Sequence, residues 1–198
     1  MVLSLPWALM DRHLYNLIKK CRKNDRQAQF DLYQHCFDYL LAICFRYQRQ
    51  RDDAVSLLND AFLKILLNIE TYDEQRDFLP WAATITVRTA IDQFRASHQY
   101  HDNTDLMEHD SDLESVQMGP GHIKVIDELS SEEIQEMVFS LPEKERMVFV
   151  LYEWEGYKHH EIAEKLECST RSSKRYLQSA KEKLKKELSH KQALKKVI

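Results

Sequence analysis

The chain has 198 residues, a hydrophobic fraction of 43% and a net charge of −4, which suits one or two globular domains with a buried core in each. Its 3 Gly and 4 Pro are too few for the many tight turns of an all-β fold, whereas its long runs of Leu, Lys, Glu, Gln and Ala favour helices. The composition therefore predicts an all-α protein.

Charge is unevenly distributed along the chain. The net charge is +1 for residues 1–97, −9 for residues 98–133, −4 for residues 134–168 and +8 for residues 169–198. The acidic stretch also contains Met118-Gly-Pro-Gly-His122, and its low apolar content predicts a flexible linker. We expect an N-terminal domain of residues 1–97, the linker 98–133 and a C-terminal domain of residues 134–198. The basic C-terminal end indicates a polyanionic partner, with a solvated Lys-rich helix as the alternative.

Three or four helices are predicted in the N-terminal domain. Asp25 is the expected N-cap of the first. Spacings of three and four place Phe30, Tyr33, Phe37, Leu41 and Cys44 on its buried face. A second helix begins near Asp53 and buries Leu57, Leu58, Ala61, Phe62, Ile65 and Leu66. After a loop at residues 71–79, a third helix opens near Pro80-Trp81 and buries Ile85, Ala90, Ile91 and Phe94.

The C-terminal domain carries a sharper pattern. Ser140 and Glu143 have the spacing of a capping box, and Gly156 is placed to end the helix that follows. A short helix at residues 160–166, a break at residues 167–168 and an N-cap at Ser169 come next. The long final helix has one apolar stripe, formed by Leu177, Ala180, Leu184 and Leu188. A short helix, a tight turn and a longer basic helix are typical of a helix-turn-helix motif.

Polar and basic side chains lie off this apolar stripe. A helix reads the major groove through polar groups on its first turns, while lysines further along meet phosphates. The expected base-reading groups are Arg171, Ser172, Lys174, Arg175, Gln178 and Ser179. The expected phosphate contacts are Lys181, Lys183, Lys185 and Lys186.

Other classes of function have little support in the sequence. The cysteines form no CxxC pair, which predicts reduced core residues. Residues 1–10 lack the features of a signal peptide, and no apolar run is long enough to span a membrane, so we expect a cytoplasmic protein. No set of ligands has metal spacing, and His159 and His160 are expected to be exposed to solvent. Neither a phosphate loop nor a nucleophile motif occurs, so no metal, cofactor or enzyme activity is predicted.

Two groups of residues carry a family resemblance. Residues 141–151 (LPEKERMVFVL), 155–166 and 177–184 resemble the fourth, promoter-reading region of extracytoplasmic-function (ECF) sigma factors. The second region of that family is similar to a set in the N-terminal half, namely Asp53-Ala54, Leu57, Asp60-Ala-Phe-Leu63, Tyr72-Asp73, Arg76, Phe78, Trp81, Thr84-Ile85, Asp92 and Arg95. The two matches occur in the family's order and span about three quarters of the chain.

The resemblance implies an alternative sigma factor that binds core RNA polymerase and directs promoter recognition and transcription initiation. It implies polymerase-binding residues Asp53, Leu57, Asn59, Asp60 and Leu63. The implied promoter-melting contacts are Tyr72, Arg76, Phe78, Trp81, Thr84, Arg88 and Thr89. Aromatic walls and nearby cations suit a flipped base, and ordinary core packing is the alternative, for Trp81 in particular. The implied upstream-element contacts are Arg171, Ser172, Lys174, Arg175, Gln178 and Lys181. An anti-sigma factor is a further partner that the resemblance allows, and no membrane insertion is expected.

Several residues depart from the family's pattern. Val55 and Ser56 stand where two acidic residues are usual, and Arg88 replaces a common Asn. Glu167 replaces the usual turn glycine and Ser173 the usual inward Val, each at a cost of order a kcal/mol unless compensated. Two alternative functions remain: a conventional repressor or activator, which would bind operator DNA alone and as a dimer, and a helical interaction module that does not touch DNA.

Overall fold

The computed structural model of the chain describes residues 12–99 and 131–195. All regular structure in these two ranges is helical, without a strand, which confirms the predicted all-α class. The chain divides into an N-terminal unit of residues 1–94 and a C-terminal unit of residues 95–198. Of the predicted linker, residues 100–130 lie outside the described residues.

Four helices and one short 3-10 turn form the described part of the N-terminal region. They are α1 (Arg12–Cys21), α2 (Arg26–Cys44), α3 (Arg51–Leu67), the 3-10 turn (Ile69–Thr71) and α4 (Phe78–Gln99). The Asp25 carboxylate accepts a hydrogen bond of 3.0 Å from the Ala28 amide, so the expected N-cap of α2 is confirmed. The sequence pattern locates α2, α3 and α4 to within about three residues, whereas α1 is an additional helix.

The buried face of α2 differs from the predicted one. Leu32, Cys36 and Leu40 are fully buried, whereas Phe30 is 54% exposed and Tyr33 is half-buried. Leu41 and Cys44 are buried as predicted, but the rest of the predicted stripe is not, because α2 packs against both α1 and α3. A helix with two neighbours carries apolar side chains around much of its circumference, so spacings of three and four fit more than one stripe.

Polar contacts join α3 to α4 beside a shared apolar core. Leu57, Leu58 and Ile65 of α3 are fully buried, as predicted. At the edge of this core, Lys64 Nζ lies 2.8 Å from the Asp92 carboxylate. The neighbouring Gln93 amide donates to Asp60 at 2.9 Å. These bonds fix the orientation of the outward side of α3 relative to α4.

The three cysteines of the N-terminal unit are core residues. Cys21, Cys36 and Cys44 are buried and free, while Cys168 in the C-terminal unit is half-buried. Burial raises the pKa of Cys21 to about 11 and those of Cys36 and Cys44 to about 12. These thiols stay protonated at neutral pH, so they pack as small hydrophobes, as predicted.

The C-terminal unit contains four helices in its described part. They are α5 (Ser131–Phe139), α6 (Glu143–Phe149), α7 (His159–Leu166) and α8 (Thr170–Lys195). A π-type turn, Val150–Trp154, continues α6, and Gly156 follows it with a φ of 75°. Gly156 therefore adopts a left-handed conformation close to where the sequence predicts the helix end.

The predicted capping box at Ser140 is wrong. Its hydroxyl lies 2.7 Å from the Met137 carbonyl and 2.8 Å from the Glu187 carboxylate, and α6 begins after Pro142 without a side-chain cap. The reason is α5, a helix that the sequence pattern does not reveal. Ser140 follows the end of α5, and its hydroxyl donates to the Met137 carbonyl, which also accepts from the Ser140 amide at 3.2 Å.

The turn between α7 and α8 has the predicted helix-turn-helix geometry. Glu167 lies in the left-handed region at φ 53° and ψ 42°, the position where the sequence departs from glycine. Ser169 Oγ accepts a hydrogen bond of 2.9 Å from the Ser172 amide, which confirms the N-cap of α8. Leu177 and Leu184 are buried against α6 and α7, so the opposite side of α8 faces solvent.

Within the described ranges, no helix combines the length and the hydropathy needed to cross a membrane. The same residues include no group of three or more His, Cys, Asp or Glu side chains arranged to hold a metal ion.

Candidate functional site

The outward side of α3 presents one continuous stripe. We call it the α3 outer face, and it consists of Asp53, Ser56, Asp60, Leu63 and Leu67, all exposed and spaced by three or four residues. The exposed fraction is 58% for Leu63 and 74% for Leu67. The stripe is acidic toward the start of α3 and apolar toward its end.

The implied polymerase-binding residues divide between this face and its surroundings. Asp53, Asp60 and Leu63 belong to the face, and exposed Asn59 lies beside it, accepting a hydrogen bond of 2.8 Å from the Tyr33 hydroxyl. Leu57 is fully buried and supports the helix from within. Sequence reasoning missed Leu67, although the same spacing of three and four extends to it.

The segment before α4 is built on an aromatic cluster. The ring centroids of Tyr72, Phe78 and Trp81 lie 5.1 to 5.5 Å apart. Tyr72 is only 3% exposed and Phe78 only 2%, while Trp81 is half-buried. The Tyr72 hydroxyl donates to the Arg76 carbonyl, and burial raises the pKa of Tyr72. Two of the three rings are therefore covered, and only Trp81 retains a partly open surface.

Arg22, at the end of α1, holds this segment in place. Its guanidinium donates to the Tyr72 carbonyl at 2.9 Å and pairs with the Glu74 carboxylate. It also donates to the Ile69 carbonyl at 3.4 Å and lies 3.8 Å from Glu70. Sequence reasoning missed Arg22 because its partners are about fifty residues away and no local pattern marks them.

One side of α4 continues the solvent-facing surface of this segment. Thr84 and Arg88 are exposed and share a helix face with Trp81, and Arg76 is exposed in the preceding loop, 3.6 Å from Asp73. Thr89 differs from these residues. It is 2% exposed and its hydroxyl donates to the Ile85 carbonyl at 2.9 Å, so it faces the interior.

The first turns of α8 carry the exposed polar groups expected of a recognition helix. Arg171, Lys174, Arg175 and Gln178 are exposed on the side opposite the buried stripe. The Arg175 guanidinium lies 5.5 Å from the Tyr176 ring centroid, and the Gln178 amide donates to Glu182 at 3.0 Å. The half-buried Ser172 is different, because its hydroxyl lies 2.9 Å from that of Ser169 at the cap.

Two of the lysines expected to meet phosphates pair with carboxylates of the C-terminal unit. Lys181 lies 2.7 Å from Glu153. Lys183 bonds to both carboxylate oxygens of Glu145, at 2.7 and 2.8 Å. The Glu145 side chain is only 12% exposed and also accepts from the Ser179 hydroxyl at 3.0 Å. These lysines therefore help to fix α8 against α6 and the π-type turn that continues it.

Ser173 and His159 form a polar pair beneath the helix-turn-helix. Ser173 is fully buried, and its hydroxyl lies 3.0 Å from His159 Nδ1. The imidazole stacks on Tyr152 with ring centroids 4.6 Å apart. Desolvation lowers the pKa of His159, and Lys174 and Lys181 lower it further. The prediction that His159 is solvent-exposed was wrong, and its bond compensates the polar Ser173 on the buried stripe.

The chain matches two family models. Residues 32–99 match "Sigma-70 region 2" and residues 126–184 match "Sigma-70, region 4". The first range contains the α3 outer face, the aromatic cluster and α4. The second contains the helix-turn-helix, including all the implied upstream-element contacts.

Curated relatives are similar over most of their length. The ECF RNA polymerase sigma factor SigW of Bacillus subtilis is 27% identical over 185 residues, which cover 90% of this chain and 98% of SigW. The ECF RNA polymerase sigma-E factor of Haemophilus influenzae is 26% identical over 160 residues, 77% of this chain and 82% of that protein. Among solved structures, the sigma factor RpoE of Bartonella quintana, crystallised with the anti-sigma factor NepR, is 18% identical, with 79% of this chain and 94% of that chain covered and a TM-score of 0.48.

A region 2 helical unit followed by a region 4 helix-turn-helix defines a sigma-70-type transcription initiation factor. The chain belongs to the ECF group of the sigma-70 family. It is thus an alternative sigma factor, which binds core RNA polymerase and promoter DNA and directs transcription initiation.

Proposed function

We propose that this sigma factor docks on core RNA polymerase through the α3 outer face, opens the promoter with the segment and helix that follow, and reads the upstream element with α8. The observation that carries the proposal is the α3 outer face itself. It lies inside the region 2 match, and there the chain exposes two large apolar side chains, Leu63 and Leu67, next to the acidic side chains Asp53 and Asp60.

The composition of the face suits a protein partner. Interfaces usually have an apolar core and a polar rim, and Leu63 with Leu67 would supply the first while Asp53 and Asp60 supply part of the second. The polymerase surface that fits has an apolar patch with cations beside it. Leu57, which is buried, would hold the face in shape without touching the partner.

Promoter opening is assigned to the exposed residues near the start of α4. Trp81 offers a partly open ring on which a base can stack, and Arg76 and Arg88 supply cations for phosphates. The exposed Thr84 shares the face with Trp81 and Arg88. Stacking on Tyr72 or Phe78 would require the aromatic cluster to open, so we assign these two rings to support of the loop.

Upstream recognition is assigned to the exposed first turns of α8. The guanidinium groups of Arg171 and Arg175 suit bidentate bonds to guanine, and the Gln178 amide suits adenine. Lys174 would bind a neighbouring phosphate. Ser172 and Lys181 keep structural bonds within the unit, which makes them secondary contacts.

The protein would act by binding rather than by catalysis, in the cytoplasm, where core polymerase and promoter DNA are found. An anti-sigma factor is a further proposed partner, which the family resemblance implies and which would compete for the α3 outer face.

The docking assignment is tested by measuring the affinity of the full chain for purified core polymerase. Asp60→Lys should weaken binding by about tenfold or more, because the charge reversal places like charges together. Asp60→Asn removes the charge but still accepts the Gln93 bond, and Gln93→Ala removes that bond but keeps the charge. Asp38→Lys, an equal charge change at an exposed site on α2, is the matched control.

The expected order of affinities separates charge from packing. Asp38→Lys and Gln93→Ala should bind almost as wild type, Asp60→Asn should be weaker, and Asp60→Lys weakest. If Asp60→Lys binds core polymerase as tightly as Asp38→Lys does, the α3 outer face is not the docking surface.

A further inference from the structure

We propose that a lysine face on α1 binds phosphates of the opened promoter strand and extends the DNA-contacting surface beyond the region 2 match. The face consists of Asn16, Lys19, Lys20 and Lys23. It lies outside both matched ranges, the first of which begins at residue 32. The inference rests on the proposed role of the segment before α4 in promoter opening.

The four residues form one surface. Their spacings of three, one and three place them on a single side of α1 and of the turn that ends it. All four are exposed, and together they line a shallow depression of about 250 Å³. A depression of this volume can admit a phosphate group.

The charge of this surface is unbalanced. Residues 12–24 contain five Lys and Arg side chains and no Asp or Glu. In the described part of the chain, no carboxylate forms an ion pair with any of these three lysines. A solvated helix commonly intersperses acids that pair with its lysines at i+3 or i+4, and α1 has none. The surface therefore attracts anions.

Arg22 places the lysine face beside the promoter-opening segment. It is the direct neighbour of Lys23, and its guanidinium contacts the Ile69 and Tyr72 carbonyls and the Glu74 carboxylate. The end of α1 is thus fixed against the loop that leads into α4. Because Arg22 pairs with Glu74 and lies 3.8 Å from Glu70, it offsets part of the acidic charge of this loop on the side that faces α1. A strand held at the loop then lies beside the lysine face of α1.

The chemistry of the face favours a nucleic-acid backbone over an acidic protein. A protein interface needs an apolar core, and every residue lining the depression is polar or charged. The face also lacks an aromatic ring for base stacking, so it suits phosphates and not bases. Binding there should depend on salt and be indifferent to sequence.

The test compares wild-type holoenzyme with holoenzyme carrying Lys19→Gln, Lys20→Gln and Lys23→Gln together. The probe is a promoter fragment with a pre-opened bubble, and its affinity is measured over a range of salt concentrations. Removing one lysine–phosphate bond to a single strand should lower the salt slope by about 0.7, so the slope of the triple variant should be lower by about 2. The triple Lys→Arg variant keeps the charge and should retain the wild-type slope.

Each outcome decides the proposal. An unchanged slope in the glutamine variant overturns it. Weaker binding to core polymerase without DNA, at an unchanged DNA slope, would show an acidic protein partner and also overturn it. If the triple variant does not fold, Lys23→Gln alone, beyond the end of α1, should lower the slope by about 0.7. Failure of wild-type holoenzyme to open a duplex promoter would instead count against the proposed function.

Discussion

The bond between Ser173 and His159 makes a quantitative prediction about the helix-turn-helix. His159→Phe keeps a ring on Tyr152 but removes the Nδ1 partner of the fully buried Ser173 hydroxyl. An unpaired buried hydroxyl costs about 1 to 3 kcal/mol. Ser173→Val removes the buried hydroxyl together with its need for a partner, and the remaining His159 is only half-buried, so the change should cost about 1 kcal/mol or less.

The double variant separates the bond from other effects of the two changes. If loss of the hydrogen bond causes the destabilisation, the unfolding free energy of the double variant His159→Phe/Ser173→Val should be close to that of Ser173→Val alone. The coupling energy between the two changes should then be about 1 kcal/mol or more. Hydrogen exchange of the α7 and α8 amides in the full chain measures the stability of this unit apart from the N-terminal one. If the losses of stability in the two single variants add up in the double variant, the Ser173–His159 bond does not carry the effect.

Three further predictions concern the C-terminal unit. The stability of this unit should fall as the pH drops below about 6.5, because the pKa of His159 is lowered in the folded state and the unfolded chain therefore binds more protons there. His159→Phe should flatten the pH dependence of the unfolding free energy. An equally steep loss of stability in His159→Phe would contradict this prediction. Glu145→Ala should destabilise α8 by about 1 to 3 kcal/mol in hydrogen exchange, since Lys183 and Ser179 lose their partner, whereas unchanged exchange would show the bonds to be unimportant. Arg171→Ala or Arg175→Ala should relax base preference at particular upstream positions by about 1 to 3 kcal/mol in a substitution scan, and unchanged preference in both would move base readout elsewhere on α8.

Local patterns in the sequence predicted the features that depend on neighbouring residues. The N-caps at Asp25 and Ser169 and the helix-turn-helix arrangement follow from side chains within a few positions of one another. Most of the predicted stripe of α8 is buried, namely Leu177, Ala180 and Leu184, while Leu188 is half-buried. The prediction succeeded because the apolar residues of α8 have one consistent spacing. Glu167 was recognised at the turn position where the family usually has glycine. Its backbone adopts the left-handed conformation that glycine favours.

Features that depend on distant contacts could not be predicted. The contact of Arg22 with the loop before α4 joins residues about fifty positions apart. Because α2 has two neighbours, only Leu41 and Cys44 of its predicted stripe are buried, and the Ser140 hydroxyl bonds to the end of α5 instead of capping α6. His159 gave no signal of its own, because the Ser173 hydroxyl that it bonds lies on another helix.

The same distinction applies to the candidate site. The sequence pattern predicted the buried Leu57 and the exposed first turns of α8. The family resemblance, by contrast, implied binding roles for Leu57 and Thr89, and both side chains are buried. A resemblance assigns roles by position along the chain and does not show which side chains the neighbouring helices cover. The sequence pattern also does not show that Lys181 and Lys183 have carboxylate partners, on the π-type turn after α6 and on α6 respectively.

Run-off transcription from a promoter library, with purified core polymerase in the presence or absence of the full chain, tests the central claim most directly. We predict that the chain makes core polymerase initiate at a defined subset of promoters that core polymerase alone does not use, and that Asp60→Lys abolishes this while Asp38→Lys does not. Identical transcripts with and without the chain, together with binding of the free chain to operator DNA as a dimer, would contradict the account and favour a conventional repressor.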